Sequence, residues 1–189
     1  IWNWFSDWAN NYDDSNIFKI AYSYLFRHKL ITGPYAETLT WWDKLNNESA
    51  YIVPAIGGVD AHALKISKYI LPVTVFPYES MFKTVSNILT LTSALPDEFE
   101  AKKEVILNAI KNGNNIIINR KFSNKNSFPS ITIVNQHTSA LCGQNIQKDN
   151  DTFLEVVLPF IGNIRVILNG VIIYKDKSAN LRYRLEHPG

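Results

Sequence analysis

The 189-residue chain is 46% hydrophobic, enough apolar material to bury a core as one domain or as two small ones. Its 19 basic and 17 acidic residues leave a formal charge of +2, which excludes a field strong enough to point to nucleic acid or an anionic membrane as partner. No stretch reaches the roughly 18 consecutive apolar residues of a spanning helix, and the single cysteine, Cys142, rules out an internal disulfide and favours a reducing, cytoplasmic setting.

Taken in chain order, the first feature is aromatic. Trp2, Trp4, Phe5 and Trp8 fall within eight residues, and so dense a cluster needs a core to cover it. The chain also begins at Ile1 rather than Met, so the sequence is expected to open inside a domain. Ser15 is placed to cap a helix in which Ile17, Ile20, Ala21, Tyr24 and Leu25 recur at helical spacing, until Gly33-Pro34 breaks it. A second helix is expected from about Glu37 to Asn46. The apolar run Tyr51 to Ile56, ending at Gly57-Gly58, reads as a buried strand of a parallel sheet, with Pro54 counting against it. Helical spacing of Met81, Phe82, Val85, Ile88 and Leu89 predicts a helix from Tyr78 to about Thr92. Another starts after Pro96-Asp97 and stops at Gly113, and Asn115 to Asn119 is a second apolar strand. Helices and strands in this order make an α/β layering.

Beyond Arg120 the helical period is lost. Short β-branched runs follow at Ile131–Val134, Phe153–Leu158, Ile164–Leu168, Val171–Tyr174 and Leu181–Leu185. Asn169-Gly170 lies between two of them, where both residues accept the positive φ of a type I′ hairpin turn. The expected division is an α/β part over residues 1–122 and a small antiparallel β-sandwich module over residues 123–189.

The stretch with chemistry in it is Ile56-Gly57-Gly58-Val59-Asp60-Ala61-His62-Ala63. In parallel α/β architectures sites gather outside the carboxyl ends of strands, which is where this stretch falls. In extended backbone residues i and i+2 point the same way, so Asp60 and His62 can offer a carboxylate oxygen and an imidazole nitrogen to one ion. A hard oxygen with a borderline nitrogen suits zinc, manganese or iron better than calcium. The same letters also fit a turn-capping Asp and a His bonded to backbone.

From Glu37 through Trp42, Asp43 and Leu45 to Gly57-Gly58-Val59-Asp60-Ala61-His62, the sequence resembles the closing segment of PHP (polymerase and histidinol phosphatase) class metallohydrolases. In those proteins a tryptophan-bearing helix leads into a strand ending G-x-D-A-H. Pro77-Tyr78 with Met81, Phe82 and Val85, the segment Ala109 to Asn114, and the stretches Ile164–Gly170 and Leu181–Gly189 extend the likeness over most of the chain. The resemblance implies the C-terminal portion of a distorted β/α barrel of about seven strands, binding two or three divalent ions (zinc, manganese or iron) and hydrolysing phosphate esters. It implies metal-ligand roles for Asp60 and His62 alone.

The family's opening H-x-H is missing here. The other histidines are His28, His137 and His187, His28 being placed as a surface cation at a helix end. The remaining ligands are therefore expected upstream of Ile1, and the 189 residues alone are expected to bind metal feebly and to catalyse little. Glu37 and Glu79 are candidate site-lining carboxylates, or else solvated residues at helix starts. The expected partner is a small-molecule phosphate ester or related ester, with neither nucleic acid nor membrane, and with contacts or oligomerisation through the open edge of the barrel. Asp149-Asn150-Asp151 lacks the Gly and distal Glu of a calcium loop and reads as a polar turn. A different class of function stays open: a non-catalytic scaffold whose β module binds a carbohydrate or a protein.

Overall fold

A computed structural model describes residues 2–13, 15–66, 73–120 and 127–186. They belong to two compact units. One comprises Ile1–Leu39, Ile56–Asn87 and Ile117–Phe122, and the other Thr40–Ala55, Ile88–Ile116 and Ser123–Gly189.

The first unit is built on aromatic residues. A two-residue strand, β1 (Trp2–Asn3), runs into helix α1 (Trp4–Asn10), followed by α2 (Ile17–Leu25) and a 3-10 turn at Arg27–Leu30. Trp2, Trp4 and Trp8 are buried together with Phe76, Met81 and Val85. Phe76 meets Trp8 edge-on at 4.5 Å and Trp4 at 5.8 Å between ring centroids, and Tyr24 stacks on it at 5.4 Å. Such pairs add about 0.5–1.5 kcal/mol beyond the area they bury. The core fixes Phe76 in left-handed backbone (φ 52°), which a bulky side chain adopts only when its surroundings over-determine it. The cap of α2 is Asn16 rather than Ser15: its side-chain oxygen accepts the Lys19 N–H at 3.0 Å. Lys19 also bonds Asp13 at 2.7 Å, and with the Ser15 N–H this holds the Asp13 carboxyl down at about 2.

Helix α3 (Ala36–Glu48) forms where it is expected, but the strand predicted over Tyr51–Ile56 does not. Side chains in the second unit satisfy its backbone instead. Asn46 clamps Val53 by accepting its N–H at 2.9 Å and donating to its carbonyl at 3.3 Å, Trp42 Nε1 donates to the same carbonyl at 2.7 Å, and Asn115 Nδ2 donates to the Ala55 carbonyl at 2.7 Å. Pro54 brings no N–H, so little is left for a ladder.

Strand β2 is only Gly57–Gly58 and pairs in parallel with β1, Trp2 opposite Gly57 and Asn3 opposite Gly58. Antiparallel strands β3 (Leu64–Ile66) and β4 (Val73–Val75) follow, then a single helical turn, α4 (Tyr78–Met81). The helix predicted to run on to Thr92 stops there. Thr84 folds its N–H and its hydroxyl back onto the Met81 carbonyl, at 2.9 and 2.6 Å, and β-branched Val85 and Ile88 continue as strand β5 (Val85–Leu89). Its neighbour is β6 (Asn115–Asn119). Bonds from Arg120 N–H to the Thr84 carbonyl and from Thr90 N–H to the Asn114 carbonyl give the antiparallel order, not the parallel one of a β/α barrel. Helix α5 (Phe99–Lys111) lies between them in sequence, capped by the Glu98 carboxylate on the N–H groups of Glu100 and Ala101, and it buries only Ala109. A barrel helix would cover a sheet with a full apolar stripe. None of the sheets closes into a barrel among the described residues.

The rest of the second unit is one antiparallel sheet of β7 (Ser130–Val134), β8 (Ser139–Leu141), β9 (Phe153–Leu168) and β10 (Val171–Arg184), in the order β10-β9-β7-β8. The expected hairpin is present, with Asn169 at φ 50° and Gly170 at φ 79°. The strands around it are longer than the sequence predicts. Two predicted runs merge into β9 and two into β10, because irregularities at Ile172/Tyr174 and Ser178/Asn180 bend the pair without ending it. Val156, Ile164 and Leu181 are buried under Ile131, Leu154, Tyr174 and Tyr183. The described residues from 127 onward thus form one four-stranded sheet in place of the expected sandwich. No described helix is long and apolar enough to cross a membrane.

Candidate metal-binding site

The site lies in the first unit, on the loop leaving β2. An amide clamp fixes where that loop begins: Asn87 Oδ1 accepts the Gly57 N–H and Asn87 Nδ2 donates to the Gly57 carbonyl, both at 2.9 Å. This side chain does what a neighbouring strand's backbone would do. Gly57 has no room for more than a hydrogen, since a Cβ would come within 2.6 Å of Ile117 Cγ2 and 2.7 Å of Val85 Cγ1. Both atoms belong to β-branched side chains with little rotamer freedom. Gly57→Ala is therefore expected to destabilise the protein by about 1–3 kcal/mol, read as a lower urea midpoint at unchanged slope.

From Gly58 the loop alternates. Val59 and Ala61 pack against the aromatic core while Asp60 and His62 face outward, their side chains 39% and 52% exposed. The pair meets by a different route from the one the extended spacing implies. Asp60 is in left-handed backbone (φ 51°), as is Ala63 (φ 47°), so a turn, not a strand, brings the two groups together. Asp tolerates this region better than most residues. Such conformations gather at functional loops.

The geometry sorts the polar atoms of the pair. His62 Nδ1 lies 2.8 Å from the Asp60 carbonyl oxygen and 3.5 Å from Asp60 Oδ1. A carbonyl can only accept, so Nδ1 carries the proton and the lone pair of the neutral ring is on Nε2. Asp60 Oδ2 accepts from Asn3 Nδ2 at 3.0 Å. Phe5 backs the imidazole with 5.6 Å between ring centroids, joining it to the aromatic core. Oδ1 thus lies on the Nδ1–H side of the ring, and Nε2 carries the lone pair on the ring's other side.

Glu37 and Glu79 stand apart from this pair. Glu37 is exposed in the first turn of α3. Glu79 is exposed at α4, and its bond to Lys83 at 2.6 Å holds its carboxyl below the usual range. No group of three or more His, Cys, Asp or Glu that could hold a metal occurs among the described residues, so neither carboxylate completes a site with Asp60 and His62. His137 is in the turn before β8, with its N–H bonded to Asn135 Oδ1, and Asp149 is occupied by the hydroxyl of Thr152 and the N–H of Asp151. Both belong to the second unit. The side chain of His28, and His187 as a whole, lie outside the described residues. Cys142 is half-buried, which raises its thiol above the ordinary value.

Asn3, Phe5 and Asn87 are the contributors that sequence reasoning misses. For Asn3 a signal exists: it directly precedes α1 and caps it by accepting the Ser6 N–H at 3.0 Å. Nothing local marks Asn87. Comparison of the chain with protein-family models, with curated proteins and with solved structures finds no match in any of the three.

Proposed function

We propose that Asp60 and His62 are two ligands in the divalent-metal site of a PHP-class hydrolase, with small-molecule phosphate esters as its first substrate class and related esters, such as carbamates, as a variant. The observation that carries this reading is their outward pairing: a carboxylate and an imidazole, half-exposed and side by side on an anchored loop. The donor set fits zinc, manganese or iron, since an oxygen and an imidazole nitrogen are ligands all three accept. Two protein ligands fall short of the three that a catalytic zinc takes, so the remaining ligands belong outside the described residues. When bound, ions of this kind lower the pKa of a water and polarise a phosphoryl oxygen. In this scheme Asp60 supplies a fixed negative charge through Oδ1, and His62 a nitrogen whose tautomer is set by the Asp60 carbonyl.

The test is hydrolysis of p-nitrophenyl phosphate by the native polypeptide that carries this sequence, with manganese or zinc added and with chelator. Phosphate release should need the metal and should fall by about 100-fold or more in His62→Ala, since even partners of a ligand are worth about 10–100-fold. Turnover indifferent both to chelator and to His62→Ala would refute the assignment.

A further inference from the structure

Two clefts of the second unit meet at the turn between α5 and β6. The larger, about 440 Å³, is lined by Tyr51, Lys111, Asn112, Asn114, Gln144 and Asn145. The smaller, about 230 Å³, is lined by Thr90, Thr92, Ser93 and Asn108, and it shares Asn112 and Asn114 with the first. Glycines let the walls approach. Gly113 and Gly143 are both in left-handed backbone, and a Cβ on Gly143 would come within 2.0 Å of Asn114 Oδ1 and 2.5 Å of the Asn112 carbonyl. Asn114, which borders both clefts, is only 9% exposed. Its N–H donates to the Ala109 carbonyl and its carbonyl accepts the Thr90 N–H, each at 2.9 Å, yet its Oδ1 is buried with no hydrogen-bond partner among the described residues. A buried amide oxygen of this kind calls for a donor.

The chemistry of the lining selects the ligand. Amide and hydroxyl side chains both donate and accept, as the hydroxyls of a sugar do. Gln144 gives its Oε1 to the Leu141 N–H at 2.9 Å, which fixes its amide and leaves Nε2 to donate. Asn112 caps the C-terminal end of α5, where the partial negative charge of the helix opposes an anion, and Lys111 is a single point charge. No described carboxylate lines either cleft, so a cation finds no counter-charge. Tyr51, 77% exposed, sets a flat ring at the larger cleft. We propose that the joined clefts bind a neutral oligosaccharide, one sugar ring against Tyr51 with its hydroxyls bonded by the amides of Asn112, Asn114, Gln144 and Asn145, and the next ring against Thr90, Thr92 and Ser93. The larger cleft alone is within the range of about 300–1,000 Å³ usual for small-ligand sites. The proposal does not depend on the hydrolase reading, since Asp60 and His62 belong to the other unit.

The test is a titration of the isotope-labelled 189-residue chain with maltotriose, cellotriose, mannotriose and triacetylchitotriose, each to about 10 mM, with adenosine monophosphate as an anionic control that can also stack on Tyr51. The readout is the set of side-chain amide signals of Asn112, Asn114, Gln144 and Asn145. At least one saccharide should move these signals together. Tyr51→Ala and Asn112→Ala, both at exposed positions, should each weaken that binding about tenfold or more with little change in melting temperature. If one of these variants does not fold, the other decides. Signals that no saccharide moves overturn the proposal. A saccharide response that keeps its wild-type affinity in the folded variants overturns it too, as does a response to adenosine monophosphate stronger than to every saccharide.

Discussion

Replacing Asp7 with alanine is expected to destabilise the protein by about 4 kcal/mol, measured by urea denaturation, although Asp7 lies outside the candidate site. Its carboxylate is fully buried, and no ion pair to it occurs among the described residues. Donors surround it instead. Oδ2 accepts the N–H groups of Thr32 and Gly33, each at 2.9 Å, and Trp2 Nε1 at 3.3 Å, while Oδ1 accepts the Thr32 hydroxyl at 2.9 Å and Asn11 Nδ2 at 3.2 Å. A hydrogen bond to a charged group contributes about 1.5–3 kcal/mol, and a buried donor left without a partner costs about 1–3 kcal/mol. These figures do not add, but together they place the loss among the large single-substitution effects. Asp7→Asn should cost less, about 2 kcal/mol: an amide nitrogen at the Oδ1 position loses the Asn11 Nδ2 bond but can donate to the Thr32 hydroxyl, which turns from donor to acceptor, while the oxygen at the Oδ2 position keeps its partners. A loss below about 1 kcal/mol for Asp7→Ala would show that the donors find other partners, or that the carboxylate contributes little.

The role of Asp7 is set by partners as far along the chain as Gly33 and is not legible in the sequence. Local signals carried well. The hairpin at Asn169-Gly170 needs two residues that accept positive φ, and both are there. Helix α5 stops just before Gly113, whose positive φ closes its end. The aromatic cluster at Trp2, Trp4 and Trp8 demands a core and is buried in one. Signals that depend on distant side chains did not carry. The apolar run Tyr51–Ile56 has the composition of a buried strand, yet Asn46, Trp42 and Asn115 take its backbone groups, and nothing within the run announces that. The helical spacing of Met81, Val85, Ile88 and Leu89 is compatible with a helix, but Thr84 turns the chain and β6 supplies a ladder from 30 residues further on. Short apolar runs are ambiguous in this way, and tertiary pairing decides them.

At the candidate site the letters D-x-H were visible and their arrangement was not. An extended backbone would have aligned Asp60 and His62 by its period of two. The left-handed turn at Asp60 produces the same adjacency and also aims the imidazole Nδ1 at the Asp60 carbonyl, which leaves the ring's lone pair on Nε2. Asn87 and Asn3, which anchor the loop and its carboxylate, are 27 and 57 residues from Asp60 in sequence and join it only through the fold.

The second large effect concerns the metal. On the proposed reading of Asp60 and His62 as ligands, binding to the 189-residue chain should be weak but localised, and replacing either residue should abolish the localisation. Manganese suits this measurement because its unpaired electrons broaden nearby nuclear resonances even at low occupancy. Added to the isotope-labelled chain in small amounts, it should broaden the amide signals of Val59 to Ala63 first and those of Asn3 to Ser6 next, since Asn3 bonds Asp60 and Phe5 lies against His62. Exposed carboxylates elsewhere, such as Glu79 and Glu100, are paired with lysines and should respond only at higher metal. In Asp60→Ala and in His62→Ala the selective broadening at the loop should disappear. Broadening spread evenly over the acidic surface, or unchanged at Val59 to Ala63 after His62→Ala, would contradict a metal site at this loop.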